Sequence, residues 1–121
     1  MDDANQRLHD ALNAARECQA YVAGITFPVF LEERMRFRAV ERVLEIVGEA
    51  LGRARQHLPD ISDRLPEVHI IVGMRNRIAH GYDQVDEEVI WVTATDDIPR
   101  LIERLEALLS DNDLATEGVT P

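Results

Sequence analysis

A chain of 121 residues, with 45% hydrophobic and 30% charged residues, has the size and composition of one soluble domain. Aromatic residues are only 5%, so the core must be built from Leu, Ile, Val and Ala, which suits helices packed on helices. A formal net charge of −10 excludes broad, sequence-blind binding to nucleic acid, so any such chemistry has to be local. All 13 basic residues are arginine, the side chain best shaped for two-pronged phosphate contacts. The single cysteine, Cys18, allows no internal disulfide, and nothing has zinc-site spacing, which points to a reducing compartment. The start, MDDANQRLHD, lacks the basic and apolar regions of a secretory signal, and no apolar run approaches a membrane span. A cytoplasmic protein is expected.

Leu8, Leu12, Ala15 and Val22 recur at helical spacing and predict a helix over 4–23, stopped at Gly24. ITFPVF reads as a connection broken by Pro28. A second helix is predicted over 31–57, with an apolar stripe of Val40, Val43, Leu44, Val47, Leu51 and Ala54 and an Arg-rich first half. Gly48 in its middle costs about 1 kcal/mol relative to Ala, so either another backbone comes close there or the glycine has no particular role. LPDISDRLP reads as a loop. A third helix is predicted over 66–79, with Pro66 in its first turn and Gly81 as its C-terminal cap. VDEEVIWVTAT reads either as a turn of helix or as an extended linker. A fourth helix is predicted from Asp97 to Leu109, facing inward through Ile98, Leu101, Ile102, Leu105 and Leu108. The expected organisation is one all-α domain over 1–110 and a flexible tail over 111–121. Wide apolar stripes on two long helices point to a bundle that dimerises.

The chemistry concentrates in RNRIAHGY, Arg75 to Tyr82. Asn76 and His80 are four apart and share a helix face. Arg75 and His80 are five apart, about 140° around an ideal helix, and meet if the helix loosens at its end. His80 would sit at the negative end of the helix dipole, which favours its protonated form. An imidazole can accept and return protons, and a guanidinium can hold a phosphate and its developing charge. RNA brings its own nucleophile, the 2′-hydroxyl. Taken singly, each residue is more simply a cap or a solvated arginine. Elsewhere, Glu49 lies one turn before Arg53 and could orient a neighbouring arginine or form a plain surface pair. His57, Asp60, Asp63 and His69 have irregular spacing, and no metal or cofactor is expected.

The order Arg75, four residues, His80, one residue, Tyr82 resembles the Arg-x4-His-x-Tyr signature of the HepT-like toxins, a branch of the HEPN-domain ribonucleases. GMRNRIAHGYDQVD around it, IVGEAL at Ile46 to Leu51 and VIWVT before the last helix extend the resemblance over roughly residues 5 to 110. Many relatives carry a tryptophan shortly before the motif, where this chain reads LPEVHIIVG. The resemblance implies a HEPN-type four- to five-helix up-and-down bundle that dimerises around a shared cleft. It implies metal-independent cleavage of RNA, leaving a 2′,3′-cyclic phosphate. Arg75 and His80 would be catalytic and Asn76 supporting, and Glu49 gains weight as a second supporting residue. It also implies a minimal nucleotidyltransferase antitoxin that silences the toxin by transferring AMP to Tyr82. Arg34, Arg36, Arg38 and Arg77 are candidate RNA contacts, since arginines from two subunits lining one cleft would reconcile RNA binding with the acidic charge. Two rivals use the same residues without cleavage: a helical scaffold for a nucleotidyltransferase, and a nucleotide-binding accessory subunit.

Overall fold

The computed structural model describes residues 3–80 and 86–119, without the side chains of 79, 80 and 112–119. Among the described residues every regular element is helical: α1 (Asp3–Val22), α2 (Phe27–Glu32), α3 (Arg34–His57), α4 (Ile61–Arg64), α5 (Val68–His80), α6 (Glu87–Val92) and α7 (Ile98–Val119). The all-α bundle expected from the periodicity is thus the fold observed. The helix α1 lays Leu8, Ala11, Leu12, Ala15 and Cys18 against α3, which answers with Val40, Leu44, Val47 and Leu51. The other flank of α3 takes α5, and α7 closes on α1 through Leu101, Leu105 and Leu108. Gly24, at φ 75°, turns the chain out of α1, a left-handed backbone that glycine adopts without strain.

The sequence reading is revised at several segments, among them the end of α7, predicted at Leu109 and found at Val119. ITFPVF is not a broken connection but the start of α2: Thr26 caps it, its hydroxyl accepting from Val29 N–H, and Pro28 lies in the first turn, where no N–H is required. The chain breaks later, at Glu33, so the second long helix begins at Arg34 and not at 31. The loop after α3 contains a single helical turn, α4, with Ile61 buried. Before the last helix, the helical one of the two readings holds: α6 spans Glu87–Val92. Asp86 caps α6 through Glu88 N–H at 2.8 Å, and a π-helical turn at Thr93–Asp97 joins α6 directly to α7. Thr93 and Thr95 donate their hydroxyls to the carbonyls of Val89 and Trp91, four residues back, at 2.8 Å each.

The short helices make an aromatic corner over the first turns of α3. Phe30 is fully buried, its ring 5.2 Å from Phe37 and 5.1 Å from Trp91, while Phe27 stands 5.9 Å from Trp91. All these rings are tilted, the arrangement that aromatic quadrupoles favour. This corner and the α3–α5 seam lie on different stretches of one helix.

Candidate active site

The seam starts from a helix stripe. Val68, Ile71 and Met74 of α5 point into the core at spacings of three, which places Val72, Arg75 and Asn76 along the edge facing α3. Opposite Arg75, α3 has no side chain. A Cβ on Gly48 would overlap Arg75 Cβ and lie 2.9 Å from the Ile71 carbonyl oxygen and 3.0 Å from Arg75 Cγ. The close approach suggested by a mid-helix glycine is thus an approach by Arg75 itself.

The rest of Arg75 is lightly held. Its Nη1 donates to Asn76 Oδ1 at 3.1 Å, and its Nε is enclosed without an acceptor. Ten of the arginines form ion pairs with carboxylates, from Arg7 with Asp10 to Arg104 with Glu67. Among the described residues, Arg55, Arg75 and Arg77 form none. Arg55 and Arg75 line one groove of about 340 Å³ between α3 and α5, with Gly48, Glu49, Gly52, Arg53, Gln56, Val72 and Asn76. Three guanidinium groups there face a single carboxylate, Glu49, and that carboxylate is 3.5 Å from Arg53. This is a cationic hollow in an acidic protein.

The expected site residues therefore divide. Arg75, Asn76 and Glu49 come together in the groove. His80 ends α5, one turn beyond Asn76; its side chain, and all of Tyr82, lie outside the described residues. Arg77 is exposed on α5. Arg34, Arg36 and Arg38 lie elsewhere within the chain, ten to fourteen residues before Gly48, or roughly 15–21 Å along the axis. Each is already engaged. Arg34 meets Glu87 at 2.8 Å and stacks on Phe37 at 4.4 Å. Arg36 meets Glu33 at 2.8 Å and donates to the Tyr21 carbonyl at 2.6 Å. Arg38 meets Glu41 at 2.7 Å. The sequence reading missed Arg55, although its signal was present: Gly48, Gly52 and Arg55 fall at spacings of four and three, on one face of α3.

A second groove, about 380 Å³ between α1 and α3, shares Glu49 and Arg53 with the first. There Arg7, Arg42 and Arg53 are balanced by Asp10, Glu17 and Glu49, so it has no excess of positive charge. Among the described residues no cluster of His, Cys, Asp and Glu could hold a metal ion, and no helix is long and apolar enough to cross a membrane.

Residues 11–108 match the family model described as "Ribonuclease HepT-like". A Thermococcus cleftensis protein named "Probable ribonuclease HepT" is 35% identical over 104 residues, covering 84% of this chain and 91% of its own length. A Methanocaldococcus jannaschii protein whose name describes it as a putative RNase is 30% identical over 106 residues, covering 86% of this chain and 94% of its own. A Caldanaerobacter subterraneus protein with the same description is 33% identical over 88 residues, covering 73% of this chain and 78% of its own. No solved structure is significantly similar to the chain.

Proposed function

The chain belongs to the HepT-like ribonuclease family, and from that premise we propose that it is a toxin ribonuclease that cleaves RNA at the end of α5. The observation that carries this reading is Arg75: seated against Gly48, with no carboxylate partner among the described residues, one and a half turns before His80. A guanidinium left without a carboxylate is available to bind an anion. It would hold the scissile phosphate and stabilise the charge that develops on it. His80 would take the proton from the 2′-hydroxyl and supply one to the leaving 5′-oxygen. The product would be a 2′,3′-cyclic phosphate. The reaction draws its nucleophile from the substrate, so it does not require a metal.

In this reading two chains pair as a homodimer around the cleft, and the chain forms a type VII toxin–antitoxin pair with a minimal nucleotidyltransferase. The Tyr82 phenol oxygen would attack the α-phosphate of ATP and release pyrophosphate. The adenylyl group left on the tyrosine adds bulk and negative charge near Arg75 and His80, which obstructs substrate phosphate. The direct test is cleavage of several RNAs in EDTA. Activity is expected to survive chelation and to fall by at least about 100-fold in Arg75→Ala and in His80→Ala. Unmodified wild-type protein that leaves all of them intact would overturn the reading in favour of the scaffold. For Tyr82, intact mass after incubation with the nucleotidyltransferase and ATP should rise by whole adenylyl increments, and Tyr82→Phe should abolish the rise.

A further inference from the structure

The α3–α5 groove extends beyond Arg75. Its α3 wall carries Arg53, Arg55 and Gln56, and its floor at Gly52 is open: a Cβ placed there meets nothing within 4 Å. Arg55 is half-buried and makes no ion pair among the described residues. Its place in the last turn of α3 suits the helix dipole, an interaction that leaves its donors unused. Arg53 is held only loosely, at 3.5 Å from Glu49. A volume of about 340 Å³ is within the range of small-ligand sites, roughly 300–1,000 Å³. The second groove, charge-balanced, offers an anion no such advantage.

We infer that Arg55, helped by Arg53, binds the phosphate of a nucleotide next to the one gripped by Arg75, so that the α3–α5 groove carries the RNA strand past the cleavage point. The inference rests on the proposed ribonuclease function and specifies where the strand lies. Contacts of this kind go to backbone phosphate and carry no base preference. Arg53 and Arg55 suit this task better than Arg34, Arg36 and Arg38, whose guanidinium groups are already committed to carboxylates, a carbonyl and Phe37. Gln56, the remaining polar group on that wall, can meet a sugar hydroxyl or a base edge.

The test measures binding apart from cleavage. The full chain is titrated against a fluorescent single-stranded RNA of about twelve mixed nucleotides, its 2′-oxygens methylated so that it cannot be cut. Anisotropy is read across a salt series. Arg55→Gln is expected to weaken binding about tenfold and to flatten the slope of log affinity on log salt by roughly 0.7, one phosphate contact on a single strand. Arg55→Lys should keep the slope and lose less affinity. Arg34→Gln should bind as wild type, and thermal unfolding of Arg55→Gln should drop only slightly, since a helix-dipole interaction is lost but no partner is left behind. Wild-type affinity and slope in Arg55→Gln would overturn the inference. So would a wild-type chain that does not bind the probe, equal losses in Arg34→Gln, or a variant that binds RNA normally but no longer associates with the nucleotidyltransferase. Cleavage of ordinary RNA is scored separately. Binding through Arg55 without cleavage would remove the ribonuclease reading and leave the groove assignment in place. Cleavage with normal binding by Arg55→Gln would remove the groove assignment alone.

Discussion

The two ends of α3 use the same side chain to opposite purposes. At its start, Arg34 and Arg38 lie over the Phe37 ring at 4.4 and 5.6 Å, and each is closed by a carboxylate. At its far end, the arginines face a groove floored by glycine, and Arg55 and Arg75 meet no carboxylate among the described residues. Arg34 ties the start of α3 to α6 through Glu87, while Arg38 is closed within α3 by Glu41. The second set holds positive charge without neutralising it, which is the condition for binding an anion from outside. An arginine count alone would treat the two ends as equivalent; what separates them is whether the opposing surface brings an acid or leaves a gap.

The widest separation between the ends should come from Phe30→Ala. Phe30 is fully buried between Phe37 and Trp91, and its truncation is expected to cost about 3–5 kcal/mol, read from a denaturant midpoint. Below its lowered transition, RNA cleavage should persist, because the groove lies at the other end of α3. Cleavage lost at temperatures where the fold remains intact would mean that the two ends are coupled.

Next in size is a pair of alanines one turn apart. Gly48→Ala places a methyl against Arg75 Cβ and the Ile71 carbonyl, so it should lose about 1–3 kcal/mol despite the better helix propensity of alanine. It should also impair cleavage, because Arg75 must move. Gly52→Ala meets nothing and should gain up to about 1 kcal/mol. Equal effects in the two variants would remove the close approach from the account of the seam.

This pair also marks how far the sequence could be read. A glycine inside a strong helical stripe signals a neighbour, but not which one; that the neighbour is Arg75, twenty-seven positions on, follows only from the packing of α5 on α3. The apolar spacing was enough to place α1, α3 and α5. It failed at ITFPVF because a proline in a first helical turn looks, one residue at a time, like a proline that breaks a chain. It left VDEEVIWVTAT open because β-branched residues are poor evidence for helix, and what settles α6 is the Asp86 cap and Trp91 meeting Phe27 and Phe30. Arg34 looked free in the sequence because its Glu87 partner lies 53 positions away, whereas Glu33 and Glu41, the partners of Arg36 and Arg38, are three positions off and were legible there.

A smaller effect tests the closed arginines directly. Arg34 and Glu87 are each about half exposed, so their pair is worth little; with the Phe37 stack, Arg34→Ala should cost no more than about 1 kcal/mol. It should leave cleavage unchanged. A tenfold loss of activity at unchanged stability would return this end of α3 to the RNA-binding surface.

The smallest effect concerns the opposite charge. At the junction of α6 and α7, burial raises the Asp97 carboxyl from its ordinary value; Asp96 and Glu67 raise it further, and Arg100 partly offsets them. Glu67 is buried there. Arg104 Nε lies 3.1 Å from one of its oxygens and 3.2 Å from the other, and the hydrogen bond goes to the second, so the first has charge contact alone. Acidic groups thus crowd one site, while at another Arg55 and Arg75 meet no carboxylate among the described residues. The folded chain holds the Asp97 proton to higher pH than the unfolded chain does. That contribution to stability is full below the unfolded value of about 3.9 and fades as pH rises through the folded one. Asp97→Asn should therefore match wild type in acid and exceed it near neutrality by under about 0.5 kcal/mol, measured as urea midpoints at both pH values. The arginine groove lies between α3 and α5, and neither Asp96 nor Asp97 lines it. Its RNA affinity should be unchanged by Asp97→Asn, and a change would mean that the acidic junction shapes the field at the groove.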